Sequence, residues 1–138
     1  FEILANPAAD NGMSSSVAIA AAAADDAGCR ALLICLADMP YVPLMHVQNI
    51  IGRFDRMGET EKDNAAITTR AAATGTTSQS PPTLFGRAHF AALSNLTGDT
   101  GGKHLTDNAE IISINSAYLT DIDTPEILSQ LNHHAVQR

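Results

Sequence analysis

Ala31-Leu32-Leu33-Ile34-Cys35-Leu36-Ala37-Asp38-Met39-Pro40 decides the fold class of this chain. Its apolar residues run on without the alternation that a strand with one wet face requires, so the stretch predicts a central strand of a parallel sheet covered on both faces. Pro40 has no N–H to donate and ends the ladder. Open α/β sheets bind ligands at the carboxyl ends of their strands, which sets Asp38 where a metal ion or phosphorylated ligand is held. A carboxylate just before a proline also serves simply as a turn cap, so position alone leaves both roles open.

Outward from this strand, turn formers and periodic apolar residues mark the other elements. Toward the N-terminus, Phe1-Glu2-Ile3-Leu4 has strand character, and Asn6-Pro7-Ala8-Ala9-Asp10-Asn11-Gly12 is a cluster of turn formers. Gly12-Met13-Ser14-Ser15-Ser16 leads into an alanine-rich helix over 17–24, with a serine able to cap it. The free N–H groups of such a helix start receive a phosphate or an electron-rich base edge, and Gly12 permits close approach; a capped helix packed on the sheet explains the same residues.

Toward the C-terminus, residues 44–57 predict a helix whose Val47, Ile50, Ile51 and Phe54 face the sheet. His46 reads as solvated or partly packed, because no second histidine or cysteine lies one turn away. A solvated turn follows at 58–64, a short strand at 65–69 and a loop at 70–82. Thr83-Leu84-Phe85 is a further strand, and Phe90, Leu93 and Leu96 mark a helix. Gly98 to Gly102-Lys103 is one residue too close for a phosphate loop, and His104 stands where a hydroxyl is needed, so an ATPase site is excluded. Ile111-Ile112-Ser113-Ile114 is a strand, and Thr124 with Pro125 opens a last helix packed through Ile127, Leu128 and Leu131. His133-His134 are adjacent, do not share a helix face, and read as a solvated tail pair.

Composition narrows the partners. The 138 residues make one domain, 1–138, with 45% hydrophobic and 17% charged residues. Fifteen acidic residues against eight basic ones give a net charge of -7, which offers no footprint for nucleic acid and no basic patch for an anionic membrane. The small-apolar run over 17–24 is too short to cross a bilayer. Cys29 and Cys35 support neither a disulfide framework nor a zinc site, and read as reduced, mostly buried thiols of a cytoplasmic protein.

Two carboxylate stations remain: Asp38, and Asp121 with Asp123 ahead of the last helix. Mg2+ needs only one or two protein carboxylates beside phosphate oxygens and water, and nucleotidyl transfer needs that charge compensation rather than a protein nucleophile. Carboxylates before helices also occur simply as caps.

Asn6 through Gly12-Met13-Ser14-Ser15-Ser16, Leu36-Ala37-Asp38-Met39-Pro40, Pro82-Thr83-Leu84-Phe85, Leu96-Thr97-Gly98-Asp99-Thr100-Gly101-Gly102 and Asp121-Ile122-Asp123-Thr124-Pro125-Glu126 occur in this order. Together they resemble the MobA-like nucleotidyltransferases, most closely molybdenum cofactor cytidylyltransferase. The resemblance covers almost the whole chain. It implies an α/β, Rossmann-like three-layer fold and Mg2+-dependent transfer of CMP from CTP, or of another nucleotide from its triphosphate, to a molybdopterin-type phosphorylated acceptor, with release of pyrophosphate. It also implies that Asp38 binds the metal, that Asp121 or Asp123 is the second acidic station, that Gly12 and Ser16 belong to the base-recognition turn, and that Asp99 approaches the acceptor.

The chain departs from the family pattern twice. The glycine-rich triphosphate loop that opens the family is not in this sequence, which reads as a domain truncated at its N-terminus. Ser80-Pro81-Pro82 replaces the usual Gly-His-Pro. A truncated sheet leaves an uncovered edge and is expected to self-associate. A noncatalytic binding remnant and a sugar-phosphate nucleotidyltransferase are the alternatives; the open reading frame upstream of Phe1 distinguishes the first and acceptor preference the second.

Overall fold

The apolar run forms a short strand, β1 (Ala31–Ile34), in a computed structural model that describes residues 2–72, 77–98 and 102–124. β1 pairs antiparallel with β3 (Gln79–Gly86), β3 pairs antiparallel with β2 (Ala66–Ala71), and β2 pairs parallel with β4 (Glu110–Ile114). The order is β1-β3-β2-β4. The expected central position in a parallel sheet is therefore corrected: among the described residues β1 lies at an edge of the sheet, and its partner runs against it. Two covered faces are nonetheless present. Leu32 and Ile34 pack with Val17 and Ala21 of helix α1 (Met13–Asp26) and with Phe90 and Leu93 of α4 (Phe90–Ser94). Ala31 and Leu33 pack with Ile50 and Phe54 of α2 (Leu44–Asp55). The same alternation recurs in β3, where Phe85 joins the first cluster and Leu84 the second. These two cores, one on each side of the sheet, make the three layers. The apolar run thus records its helical cover, while the strands alongside it are chosen by backbone pairing that leaves no mark in the pattern.

Because β3 opposes both β1 and β2, the strands β1, β2 and β4 all point the same way and their carboxyl ends share one rim. β3 must accommodate Pro81 and Pro82 between two neighbours, and it does so through a shift of register. Thr68 faces Thr83 but Thr69 faces Ser80, so neither proline is paired with β2 and neither is asked for an N–H. Threonine hydroxyls replace the missing ladder: Thr69 Oγ1 donates to the Pro82 carbonyl at 2.8 Å and Thr68 Oγ1 to that of Ser80 at 3.3 Å. The loop expected over 70–82 is in this way partly strand, and residues 73–76 lie outside the described residues.

Three further expectations change. Residues 2–6 form no regular structure, because strand character without a partner in the sheet does not make a strand. Helix α1 begins at Met13 with Gly12 at φ 90°, and no side chain caps it; Ser15 Oγ donates to the Gly12 carbonyl instead. The turn over 58–64 contains a short helix, α3 (Glu59–Asp63), where Glu61 accepts from the Gly58 N–H at 3.1 Å and the buried Lys62 sets its ammonium over the Phe54 ring, 5.8 Å from the centroid. The helix expected from Pro125, with Ile127, Leu128, Leu131 and His133-His134, lies outside the described residues.

Candidate functional site

The chain leaves β1 through Cys35-Leu36-Ala37 and turns at Asp38, with the Met39 N–H donating to the Leu36 carbonyl at 3.4 Å. One carboxylate oxygen of Asp38, Oδ1, is buried without a hydrogen-bond partner. Such an atom is costly unless something satisfies it. From β4, at the opposite edge, the chain passes a 3-10 turn (Ser116–Leu119), and the Ile122 N–H then donates to the Asp38 carbonyl at 2.8 Å. Asp38 lies beyond the end of β1, so the segments that leave β1 and β4 meet over the carboxyl-end rim.

Asp121 and Asp123 flank that contact, and both are exposed. Partial desolvation, followed by the charges of Asp38 and then Asp123, pushes the Asp121 carboxyl above the usual carboxylate range. The three carboxylates singled out in the sequence are thus brought into one electrostatic neighbourhood. Among the described residues no group of three or more His, Cys, Asp or Glu side chains forms a ready-made metal cage. The donor set suits a hard cation that takes part of its shell from a ligand's phosphates and water.

A second region lies at the start of α1. The two N–H groups of the Asn6 amide donate to Ser15 Oγ and Ser16 Oγ, each at 2.8 Å, while its Oδ1 accepts from the Ala8 N–H at 3.0 Å. This ties the Asn6-Pro7 turn to the helix and fixes the backbone around Gly12. Beside it a cavity of about 380 Å3 is lined by Asn11, Ser15, Leu96, Thr97 and Gly98, a volume within the range of small-molecule sites. Asp99, the next residue, lies outside the described residues.

Residues 1–112 match the MobA-like NTP transferase domain. The chain belongs to that family. No curated protein matches it. Nucleotidyl transfer is the activity of MobA-like NTP transferases, and the matched residues include the Asn6 turn, the start of α1 and Asp38. They end before Asp121 and Asp123, which flank the hydrogen bond from Ile122 to Asp38. Among the described residues no helix is long and apolar enough to cross a membrane.

Other polar groups near the rim were not legible as a site. His46 is 4% exposed, so the expectation of a solvated or partly packed histidine is corrected. Its Nε2 lies 2.9 Å from Thr69 Oγ1, whose one proton goes to Pro82; Nε2 must therefore be the donor. Desolvation lowers the His46 pKa. The cysteines are likewise corrected: Cys29 and Cys35 are both exposed free thiols, since β1 ends before Cys35 and begins after Cys29. Cys35 also borders a cavity of about 140 Å3 with Leu36, Met39, Val42, Val47, Pro81 and Pro82. Partial burial pushes its thiol up. The sequence signal for this group was the Pro81-Pro82 pair, which no regular central strand accommodates.

Proposed function

We propose that the Asp38 rim is the reaction site of a Mg2+-dependent cytidylyltransferase, which moves CMP from CTP to a molybdopterin-type phosphorylated acceptor and releases pyrophosphate. The observation that carries this reading is the buried, unpartnered Oδ1 of Asp38 beside the charges of Asp121 and Asp123. Carboxylates collected in this way repel one another, and a divalent cation relieves the repulsion. Asp38 is the first ligand and Asp123 the second, with Asp121 the alternative. Mg2+ held by these carboxylates would supply charge compensation to the phosphates of the nucleotide.

Each of this chain's residues then has a limited task. Asp121, whose carboxyl is raised by partial desolvation and by the charges of Asp38 and Asp123, would be relieved of that repulsion by a cation held beside it. Ile122, through its hydrogen bond, keeps the acidic segment against Asp38. Gly12, at positive φ, lets the nucleotide approach the first N–H groups of α1, and Ser16, oriented by Asn6, contacts the base. Asp99 is given its role toward the acceptor by the family resemblance alone. Both cysteines are free thiols, which supports a cytoplasmic setting.

The direct test is pyrophosphate release with Mg2+, a phosphorylated pterin acceptor and each nucleoside triphosphate in turn. Acceptor-dependent release with CTP above ATP, GTP and UTP is expected. Equal release with GTP would remove the cytidylyl assignment, and release with a sugar phosphate in place of the pterin would remove the acceptor.

A further inference from the structure

We infer that the cavity walled by Cys35, Leu36, Met39, Val42, Val47 and Pro82 seats one six-membered ring of the acceptor, and that His46 and Thr69 are positioning residues for its proline wall. The assignment to the acceptor rests on the nucleotidyl-transfer reading of the Asp38 rim; the cavity's affinity for a ring does not. Its volume, about 140 Å3, is close to that of an engineered apolar cavity, about 150 Å3, that takes up benzene. The side chains that line it are aliphatic, thioether and proline, with the Cys35 thiol beside them, and backbone polar atoms complete the wall. Thioether, thiol and proline surfaces suit the face and edge of a planar ring.

Its place in the fold ties the cavity to the reaction rim. Cys35 and Leu36 lie between β1 and Asp38, and Met39 follows Asp38 directly, so one turn of chain supplies both the carboxylate and half of the wall. The opposite wall is the Pro81-Pro82 bulge. His46 Nε2–H donates to Thr69 Oγ1, and Thr69 O–H donates to the Pro82 carbonyl, a directed chain through buried side chains. Val47, next to His46 on α2, lines the same cavity. A single turn of α2 therefore sets the wall's position from behind and contributes to its surface.

Benzyl alcohol, a one-ring probe without phosphate, tests the pocket through the alkylation rate of Cys35 by N-ethylmaleimide, followed peptide by peptide. Cys29 lies outside the cavity and serves as the internal control. Millimolar benzyl alcohol is expected to slow Cys35 several-fold and to leave Cys29 unchanged. Val47→Phe, which fills the cavity, is expected to slow Cys35 on its own and to abolish the probe's effect. Should that variant not fold, nuclear Overhauser transfer from the probe's ring protons to the Met39 methyl in the unaltered protein decides the point. Equal slowing of both cysteines, or no transfer to Met39, overturns the pocket while leaving the Asp38 reading intact. In the transfer assay Val47→Phe raises KM for the acceptor and not for CTP; a rise for CTP instead overturns the assignment to the acceptor. His46→Ala is expected to weaken protection of Cys35, with His46→Gln, which keeps a donor, restoring it; equal protection in all three proteins removes the positioning role.

Discussion

A methyl group on Gly86 would stand 1.9 Å from the carbonyl oxygen of Lys62, so the end of β3 and the end of α3 approach as closely as they do only because position 86 has no side chain. The Gly86 N–H donates to the Ala65 carbonyl at 2.8 Å, which holds the strand in this close contact. Gly86→Ala forces backbone apart from backbone and is expected to cost about 1–3 kcal/mol or more. Gly52, inside α2, has only the flexible tip of Arg56 at 3.4 Å from such a methyl. There alanine is expected to stabilise by roughly 0.4–1 kcal/mol. Urea midpoints of the two variants should move in opposite directions, and a shared direction contradicts the packing described for Gly86.

His46 makes stability depend on pH. Its folded pKa is lowered by desolvation, so the unfolded chain takes up a proton first as pH falls through about 6.5. The contribution is fully present above that value, is lost progressively below it, and stops changing once the folded protein is protonated as well. Urea unfolding across this interval should show falling stability in the unaltered protein and a flatter profile in His46→Gln. Parallel profiles would show that His46 is not the group responsible.

Asn6 and Ser16 give a graded test of the nucleotide region. Ser16→Ala removes one hydroxyl and is expected to weaken CTP binding by ~1 kcal/mol. Asn6→Ala releases both Ser15 and Ser16 from the amide that orients them, and its effect should exceed that of Ser16→Ala. Calorimetric titration with CTP measures both. Unchanged affinity in Ser16→Ala takes that side chain out of the nucleotide site.

The outer edge of β1 has no strand beside it among the described residues, and β1 is only half-buried along its length. Such an edge invites pairing with a second copy. Sedimentation velocity is expected to show association that grows with protein concentration. A monomer at every concentration would mean that the edge is protected in solution.

The sequence carried the two-sided burial of β1 and the positions of most helices, because burial determines apolar pattern. It did not carry sheet order, since Leu32 and Leu33 pack against helices on opposite faces whether β1 is central or peripheral. The turn at Asp38 was legible from the apolar run and Pro40, whereas the hydrogen bond that joins it to Ile122 comes from a distant segment that no local spacing encodes. His46 was misread because its partner, Thr69, lies in another element 23 residues away. Lys62 escaped notice for a similar reason: a charged residue in a polar segment is held there by its ammonium over the Phe54 ring and its ion pair with Glu59 at 3.0 Å.

Asp38 as a cation ligand, assisted by the acidic segment pinned to it through Ile122, is the centre of the functional account. Mn2+ in place of Mg2+, titrated in the presence of CTP and followed by electron paramagnetic resonance, reads that role without requiring turnover. The unaltered protein is expected to bind one Mn2+ tightly with CTP, Asp123→Asn more weakly, and Asp38→Asn at least tenfold more weakly while keeping its urea midpoint. Asp38→Asn that binds Mn2+ with CTP as tightly as the unaltered protein would contradict the account.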